Sequence, residues 1–158
     1  MLEISNLLNE DLILLDLEAE DCEDVIKKMS SKLIEKGYVK ESYKQAILKR
    51  EQTFPTGLDT GEIKIAIPHT DSTHVIKPGI LVAKLKNEIE FKDMGNPSNK
   101  LKIKMVFMLA VKDPKAQVPV LTKLMGIFSD QKGIKKIYES KTEKELLNSI
   151  LNTIDSKK

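Results

Sequence analysis

Cysteine, histidine and tryptophan are almost missing from this chain, which has one Cys, two His and no Trp among 158 residues. The single Cys22 excludes an internal disulfide and a cysteine zinc cluster, as expected in a reducing compartment. Aromatic residues make up 4% of the sequence, so the core must be built from Leu, Ile, Val and Met. The longest uninterrupted apolar run, Met105 to Val111, is seven residues. A membrane-crossing helix needs about 20. Charge of one sign is also missing: 26 Lys and Arg face 24 Asp and Glu, a net of +2 with the signs interspersed, which argues against a nucleic-acid surface. The opening MLEISNLLNEDL is acidic and broken by Asn6 and Asn9, unlike the basic start and apolar centre of a secretory leader. A soluble cytoplasmic protein is the expectation. No glycine pattern matches a nucleotide loop, since FPTGLDTG fits neither GxxxxGK[ST] nor GxGxxG.

What is present reads as one domain over residues 1–158, long enough to bury about two-thirds of the surface of its unfolded form. Residues 11–17 read as a short buried strand. Cys22, Val25, Ile26, Met29, Leu33 and Ile34 then recur at helical spacing, with acids at the start, Lys32 and Lys36 near the finish and Gly37 placed for a left-handed cap. A second helix is expected over about 40–52, with Tyr43, Ile47 and Phe54 inward and Lys44, Lys49 and Glu51 outward, stopped by Pro55 and Gly57. Residues 53–62 read as a loop, Ile63 to Ile67 as a strand, and 79–85, 89–91 and 101–111 as three more. In the last third, Val118, Leu121, Leu124, Met125 and Phe128 read as one helix face. Ile134 and Ile137 mark another helix, and Leu146 to Ile154 a last one, capped by Thr142 with Glu145. The order predicts an α/β fold in three layers: a mixed five-stranded sheet flanked by helices on both faces. No repeat or domain-dividing linker is visible, and only the terminal SKK reads as loose.

The two histidines lie five residues apart in IAIPHTDSTHV. Ordinary loop histidines do no chemistry, but Pro68 fixes the backbone before His69 and the apolar strand behind it is a rigid mount. Neutral imidazole, with a reference pKa of about 6.5, accepts a phosphoryl group without help from a base. Such a transfer asks for alignment and for positive charge or N–H donors around the equatorial oxygens. Arg50 suits this role because a guanidinium matches phosphate oxygens in pairs, although a helix-end arginine is ordinarily just exposed. Thr56, Gly57 and Thr70 supply further hydroxyl and amide donors.

Other readings stand beside this one. A metal on His69 and His74 with Asp71, Asp59 or Glu62 lacks a convincing ligand set. Ser72 lacks a GxSxG elbow. Cys22 reads as core, its thiol pKa raised by neighbouring carboxylates. The basic stretches LKIK and KGIKKIYESK are either solvated faces or a docking surface for an acidic partner.

The stretch Arg50 to Val75, REQTFPTGLDTGEIKIAIPHTDSTHV, resembles the enzyme IIA domains of the mannitol, fructose and galactitol family of the bacterial sugar phosphotransferase system, most closely the galactitol branch. The shared features are an RE dipeptide at a helix end, a PTG loop and an IAIPH strand end. The resemblance implies a phosphotransferase relay without cofactor or metal, in which His69 accepts a phosphoryl group from phospho-HPr and passes it to a cysteine of enzyme IIB. The membrane enzyme IIC would be an indirect partner, and Arg50 the phosphoryl clamp. Mannitol-type members carry a second active-site histidine where this chain has Lys115, Ala116 and Gln117. Gln117, Lys115 or His74 would have to serve instead. A regulatory module that signals phosphorylation through protein binding is the alternative that the resemblance leaves open.

Overall fold

The computed structural model describes residues 3–156. Lys157 and Lys158 of the terminal SKK lie outside them. Five strands form one mixed sheet in the order β1-β4-β5-β3-β2: β1 (Ile13–Leu17), β2 (Gly57–Leu58), β3 (Lys64–Ala66), β4 (Gly79–Lys92) and β5 (Lys100–Ala110). The pairs β1/β4 and β3/β5 are parallel, and β4/β5 and β2/β3 are antiparallel. Helices α1 (Cys22–Glu35) and α2 (Ser42–Thr53) cover one face. Helices α3 (Gln117–Phe128), α4 (Gln131–Glu139) and α5 (Glu143–Asp155) cover the other. The mixed sheet between two helical layers is as expected.

The strand count of five holds, but its members differ from the expected set. Segments 79–85 and 89–91 are one strand, β4, which continues through three extra residues where its register against β5 jumps from Lys84↔Met105 to Ile89↔Ile103. The fifth strand comes instead from the expected loop, where Gly57–Leu58 pairs with Ala66 and Ile65. The first strand starts at Ile13, since residues 10–12 form a 3-10 turn whose start is capped by the Asn9 side chain accepting from the Asp11 amide. The strand at 63–67 is trimmed to Lys64–Ala66.

Alternation in β5 sends Met105, Phe107 and Leu109 to the α3–α5 side and Val106, Met108 and Ala110 to the α1–α2 side. An extra residue, Lys104, separates the partners of Lys64 and Ile65, so Leu101 and Ile103 change sides and join the α1–α2 core. On the other face, Phe107 and Phe128 meet edge to face with centroids 5.0 Å apart. Burying Val25, Ile26, Met29 and Leu33 of α1 stabilises the layer by about 1.5–3 kcal/mol per side chain.

Helix signals read from the sequence largely hold. Asp21 caps α1 through the Asp24 amide, Gly37 takes φ 81°, and Thr142 caps α5 through the Glu145 amide. Four side-chain placements do not. Val118 and Met125 are exposed, and α3 buries Val120, Leu124, Ile127 and Phe128 instead. That helix is apolar on more than one side, so its own pattern does not choose the buried stripe. Phe54 is 60% exposed rather than inward, and Glu51 is buried rather than outward. The last two bear on the site below.

Gly57 has no room for a side chain: a Cβ there would lie 2.6 Å from the Lys92 carbonyl oxygen, a backbone atom that cannot swing aside. Gly57→Ala should therefore cost on the order of 2 kcal/mol, measured as a lower urea midpoint at unchanged slope. An unchanged midpoint would mean that the contact between β2 and the end of β4 is loose.

Candidate active site

Strand β3 ends at Ala66, and the chain then runs Ile67, Pro68, His69 along the end of β5. The Leu109 amide donates to the Pro68 carbonyl at 3.0 Å, and the buried Tyr43 hydroxyl donates to the Leu109 carbonyl at 2.7 Å. These bonds fasten the backbone just before His69 to the centre of the sheet. The segment after it is tied as well, since the Lys40 amide donates to the His74 carbonyl and the Lys112 and Lys40 ammonium groups donate to the Val75 and Thr73 carbonyls.

His69 is 7% exposed. Its Nδ1 lies 2.8 Å from the Ile67 carbonyl oxygen, which can only accept, so Nδ1 carries the proton and the lone pair resides on Nε2. Burial lowers the imidazole pKa, the bond to Ile67 partly opposes that shift, and the nearby Arg50 guanidinium adds to the lowering. The ring is neutral at pH 7, with a fixed tautomer and Nε2 unprotonated.

Arg50 sits in the last turn of α2. Its Nε is buried without a hydrogen-bond partner, and among the described residues no ion pair engages it. Its guanidinium carbon lies 5.2 Å from the centre of the Phe54 ring, which explains why Phe54 stays outside: it is the shelf under the cation. The cation beside His69 therefore keeps its charge free for an anion. Arg50 is also the only arginine in the chain, the other 25 of its 26 basic residues being lysine. That contrast is a signal in the sequence itself.

Glu51 is the residue that pattern reading missed. Its Oε1 accepts from the Thr56 hydroxyl at 2.7 Å and its Oε2 from the Thr56 amide at 2.8 Å. Both donors of Thr56 are thus committed to Glu51. This corrects the expectation that they face a phosphoryl group. Gly57 lies in β2, its carbonyl accepting from the Met94 amide at 2.8 Å. Thr70 is buried, and its carbonyl accepts from the Gln117 side-chain amide at 3.1 Å, so the first residue of α3 reaches the loop that carries His69. Lys115 is exposed on the preceding turn. His74 turns to α2 instead, with Nδ1 2.8 Å from the Ser42 hydroxyl. The structure gathers His69, Arg50, Thr70 and Gln117 at one end of the sheet, with Thr56 held beneath by Glu51.

A cleft of about 250 Å³ opens behind this site and not at His69, lined by Cys22, Ile26, Leu48, Glu51, Phe91 and Lys92. Cys22 is half-buried there rather than wholly in the core, and its thiol pKa is pushed up by burial first and by the Glu51 and Asp21 carboxylates next. Among the described residues, no three His, Cys, Asp or Glu side chains converge as a metal would require.

Residues 6–153 match the family model of the phosphoenolpyruvate-dependent sugar phosphotransferase system, EIIA 2. The chain is 29% identical over 106 residues to the galactitol-specific EIIA component of Escherichia coli (strain K12), covering 67% of this chain and 70% of that protein. It is 29% identical over 154 residues to the fructose-specific EIIABC component of Bacillus subtilis (strain 168), covering 94% of this chain but only 23% of the longer relative. Among solved structures, the complex of enzyme IIAMTL and phosphorylated enzyme IIBMTL from Escherichia coli shares the fold, with a TM-score of 0.76 at 23% identity over 91% of this chain and 96% of that one. The chain belongs to the EIIA 2 family of the sugar phosphotransferase system and is a phosphotransferase component of the mannitol, galactitol and fructose type.

The buried Glu51 carboxyl has a measurable consequence. Burial raises its pKa from 4.5 to about 7, against the two bonds from Thr56 that lower it. The folded form then holds a proton that the unfolded form has lost, so this group's contribution to stability is full below about pH 4.5 and is lost as pH rises through 7. The loss is about 3 kcal/mol. Glu51→Gln should flatten that part of the curve of unfolding free energy against pH, and an identical slope in both proteins between those values would show that Glu51 ionises as freely folded as unfolded.

Proposed function

We propose that this EIIA domain is a phosphocarrier in which Nε2 of His69 takes a phosphoryl group from the phosphohistidine of HPr and delivers it to a cysteine of enzyme IIB. The observation that carries the reading is the commitment of Nδ1 to the Ile67 carbonyl, which leaves Nε2 as nucleophile beside a guanidinium that has no ion pair among the described residues. In the first transfer the Nε2 lone pair forms the new N–P bond as the donor's N–P bond breaks, and that electron pair returns to the donor imidazole. The His69 ring becomes a cation with its proton still on Nδ1, where the Ile67 carbonyl accepts a stronger hydrogen bond. Arg50 neutralises charge on the equatorial oxygens, which matters because the loose transition state relies on surrounding electrostatics. In the second transfer a thiolate attacks phosphorus and the pair of the breaking N–P bond returns to Nε2.

Enzyme IIB is supported as acceptor by the relative solved in complex with a phosphorylated enzyme IIB. The sugar would be phosphorylated by IIB with the membrane enzyme IIC and not at this chain, and a galactitol-like polyol fits the E. coli relative. Among the described residues no helix is long and apolar enough to cross a membrane, which is consistent with a place in the cytoplasm. Where mannitol-type members carry a second histidine, this chain would use Gln117, whose side-chain amide donates to the Thr70 carbonyl at the edge of the site.

With phosphoenolpyruvate, enzyme I and HPr, the chain should acquire an acid-labile, base-stable phosphate, and His69→Ala should acquire none. Label retained in that variant would end the proposal. Arg50→Ala should slow transfer by roughly a hundredfold with the fold intact, as for loss of a preorganised charge donor. A stability loss at an unchanged transfer rate would instead make Arg50 structural. A chain that is labelled by HPr yet never passes the group to enzyme IIB would point to the regulatory alternative.

A further inference from the structure

Glu51 is a buried acid with no ion pair among the described residues, and both of its oxygens are spent on one threonine. Burying a carboxyl is costly, and a core position next to Ile47 and Leu48 would be served more cheaply by an apolar side chain. The bonds downstream of Glu51 indicate what is obtained in return. Thr56 accepts, through its carbonyl, from the Ile67 amide at 3.2 Å. Ile67 in turn presents its own carbonyl to Nδ1 of His69 at 2.8 Å. From the carboxyl of Glu51 to the imidazole of His69 there is thus an unbroken series of hydrogen bonds through two residues. Gly57, next in the chain, pairs with Ala66, so the clamped loop lies against the end of β3, three residues before His69.

We propose that Glu51 is a positioning residue for His69: by clamping the amide and hydroxyl of Thr56 it sets the place of the Ile67 carbonyl, and so holds the proton of His69 on Nδ1 and leaves Nε2 free. The inference rests on the reading of His69 as the phosphoryl acceptor for its use, but not for its geometry. Without the clamp, residues 54–57 keep the Phe54 contact with Arg50 and their backbone bonds but lose the polar anchor of Thr56, and the Ile67 carbonyl loses part of the support that keeps it in line with the ring. The imidazole would then sample both tautomers, and the share of molecules with Nε2 ready to attack would fall. Effects of this size on a reacting group are expected from small displacements, since alignment contributes much of the acceleration in such transfers.

The test pairs a spectroscopic with a kinetic readout. Nitrogen-15 spectra of the His69 ring at about pH 8, where imidazole is neutral, should show a single tautomer protonated on Nδ1 in the unaltered protein. Glu51→Ala should shift both ring nitrogens toward the averaged values of exchanging tautomers. The same variant should slow transfer from phospho-HPr roughly tenfold or more, with the half-saturating donor concentration nearly unchanged. Thr56→Ser, which keeps both donors, should retain the single Nδ1–H tautomer and a transfer rate near that of the unaltered protein. Thr56→Val, of the same shape but without the hydroxyl, should move both readouts part of the way, and it decides alone if Glu51→Ala does not fold. A folded Glu51→Ala or Thr56→Val with an unaltered Nδ1–H tautomer overturns the inference whatever its rate. If the unaltered protein takes no phosphoryl group at all, the phosphocarrier reading falls, while the ring spectra still decide the positioning role.

Discussion

Strand β5 is paired on both edges and covered on both faces, and most of the molecule follows from satisfying it. With Met105 to Ala110 fully buried, its amides and carbonyls must all be met within the protein, by antiparallel β4 on one side and parallel β3 on the other. A parallel partner demands a crossover, and the long excursion between β3 and β5 through β4 supplies it. The pairing with β3 also ends just before His69, the proposed phosphoryl acceptor. Because the Leu109 amide reaches past the last residue of β3 to the Pro68 carbonyl, the sheet's own hydrogen bonding extends to within one residue of His69. Side-chain chemistry at that place inherits the rigidity of the core.

Around this mount the polar groups divide by what they are allowed to bond. His69 spends Nδ1 on a carbonyl, Thr56 spends its amide and hydroxyl on Glu51, and Gln117 spends its amide on Thr70. Arg50 is the exception, with a buried Nε that has no acceptor among the described residues and a ring below it in place of a carboxylate. An unsatisfied cationic donor is costly in a protein at rest, on the order of 1–3 kcal/mol or more. Its retention beside a neutral imidazole fits a site that waits for a transient anion. Glu51 lies next to Arg50 in sequence and yet does not cancel that charge, because the turn from α2 into β2 turns its carboxyl toward Thr56.

Much of the candidate site is legible in the sequence. Scarcity drew attention to His69, Pro68 marked the strand end, and the RE, PTG and IAIPH signatures brought Arg50 and the loop into the same reading. What was misread has a common cause. Glu51 looked like an outward residue because charge at a helix end usually is solvated, and nothing local announces that the following loop folds back to bond it. Phe54 looked inward because it is aromatic, although a cation one turn earlier needs a face to rest on. His74 shares a loop with His69 but is drawn to Ser42. In each case a contact distant in space or across a turn decided the side chain's direction.

The sequence by itself determined which segments are helices, where they stop, that a mixed sheet lies between two helical layers, and which histidine to suspect. These depend on periodicity, caps and turn residues, which act over a few neighbouring positions. Only the tertiary structure decided that residues 79–92 form one strand, that Gly57–Leu58 completes the sheet, which stripe of α3 is buried, and which nitrogen of His69 is free. Those outcomes depend on what lies across the sheet: a carbonyl of Lys92 against Gly57, a partner strand that tolerates a bulge, and a peptide at Ile67 held by an acid sixteen residues before it in the chain.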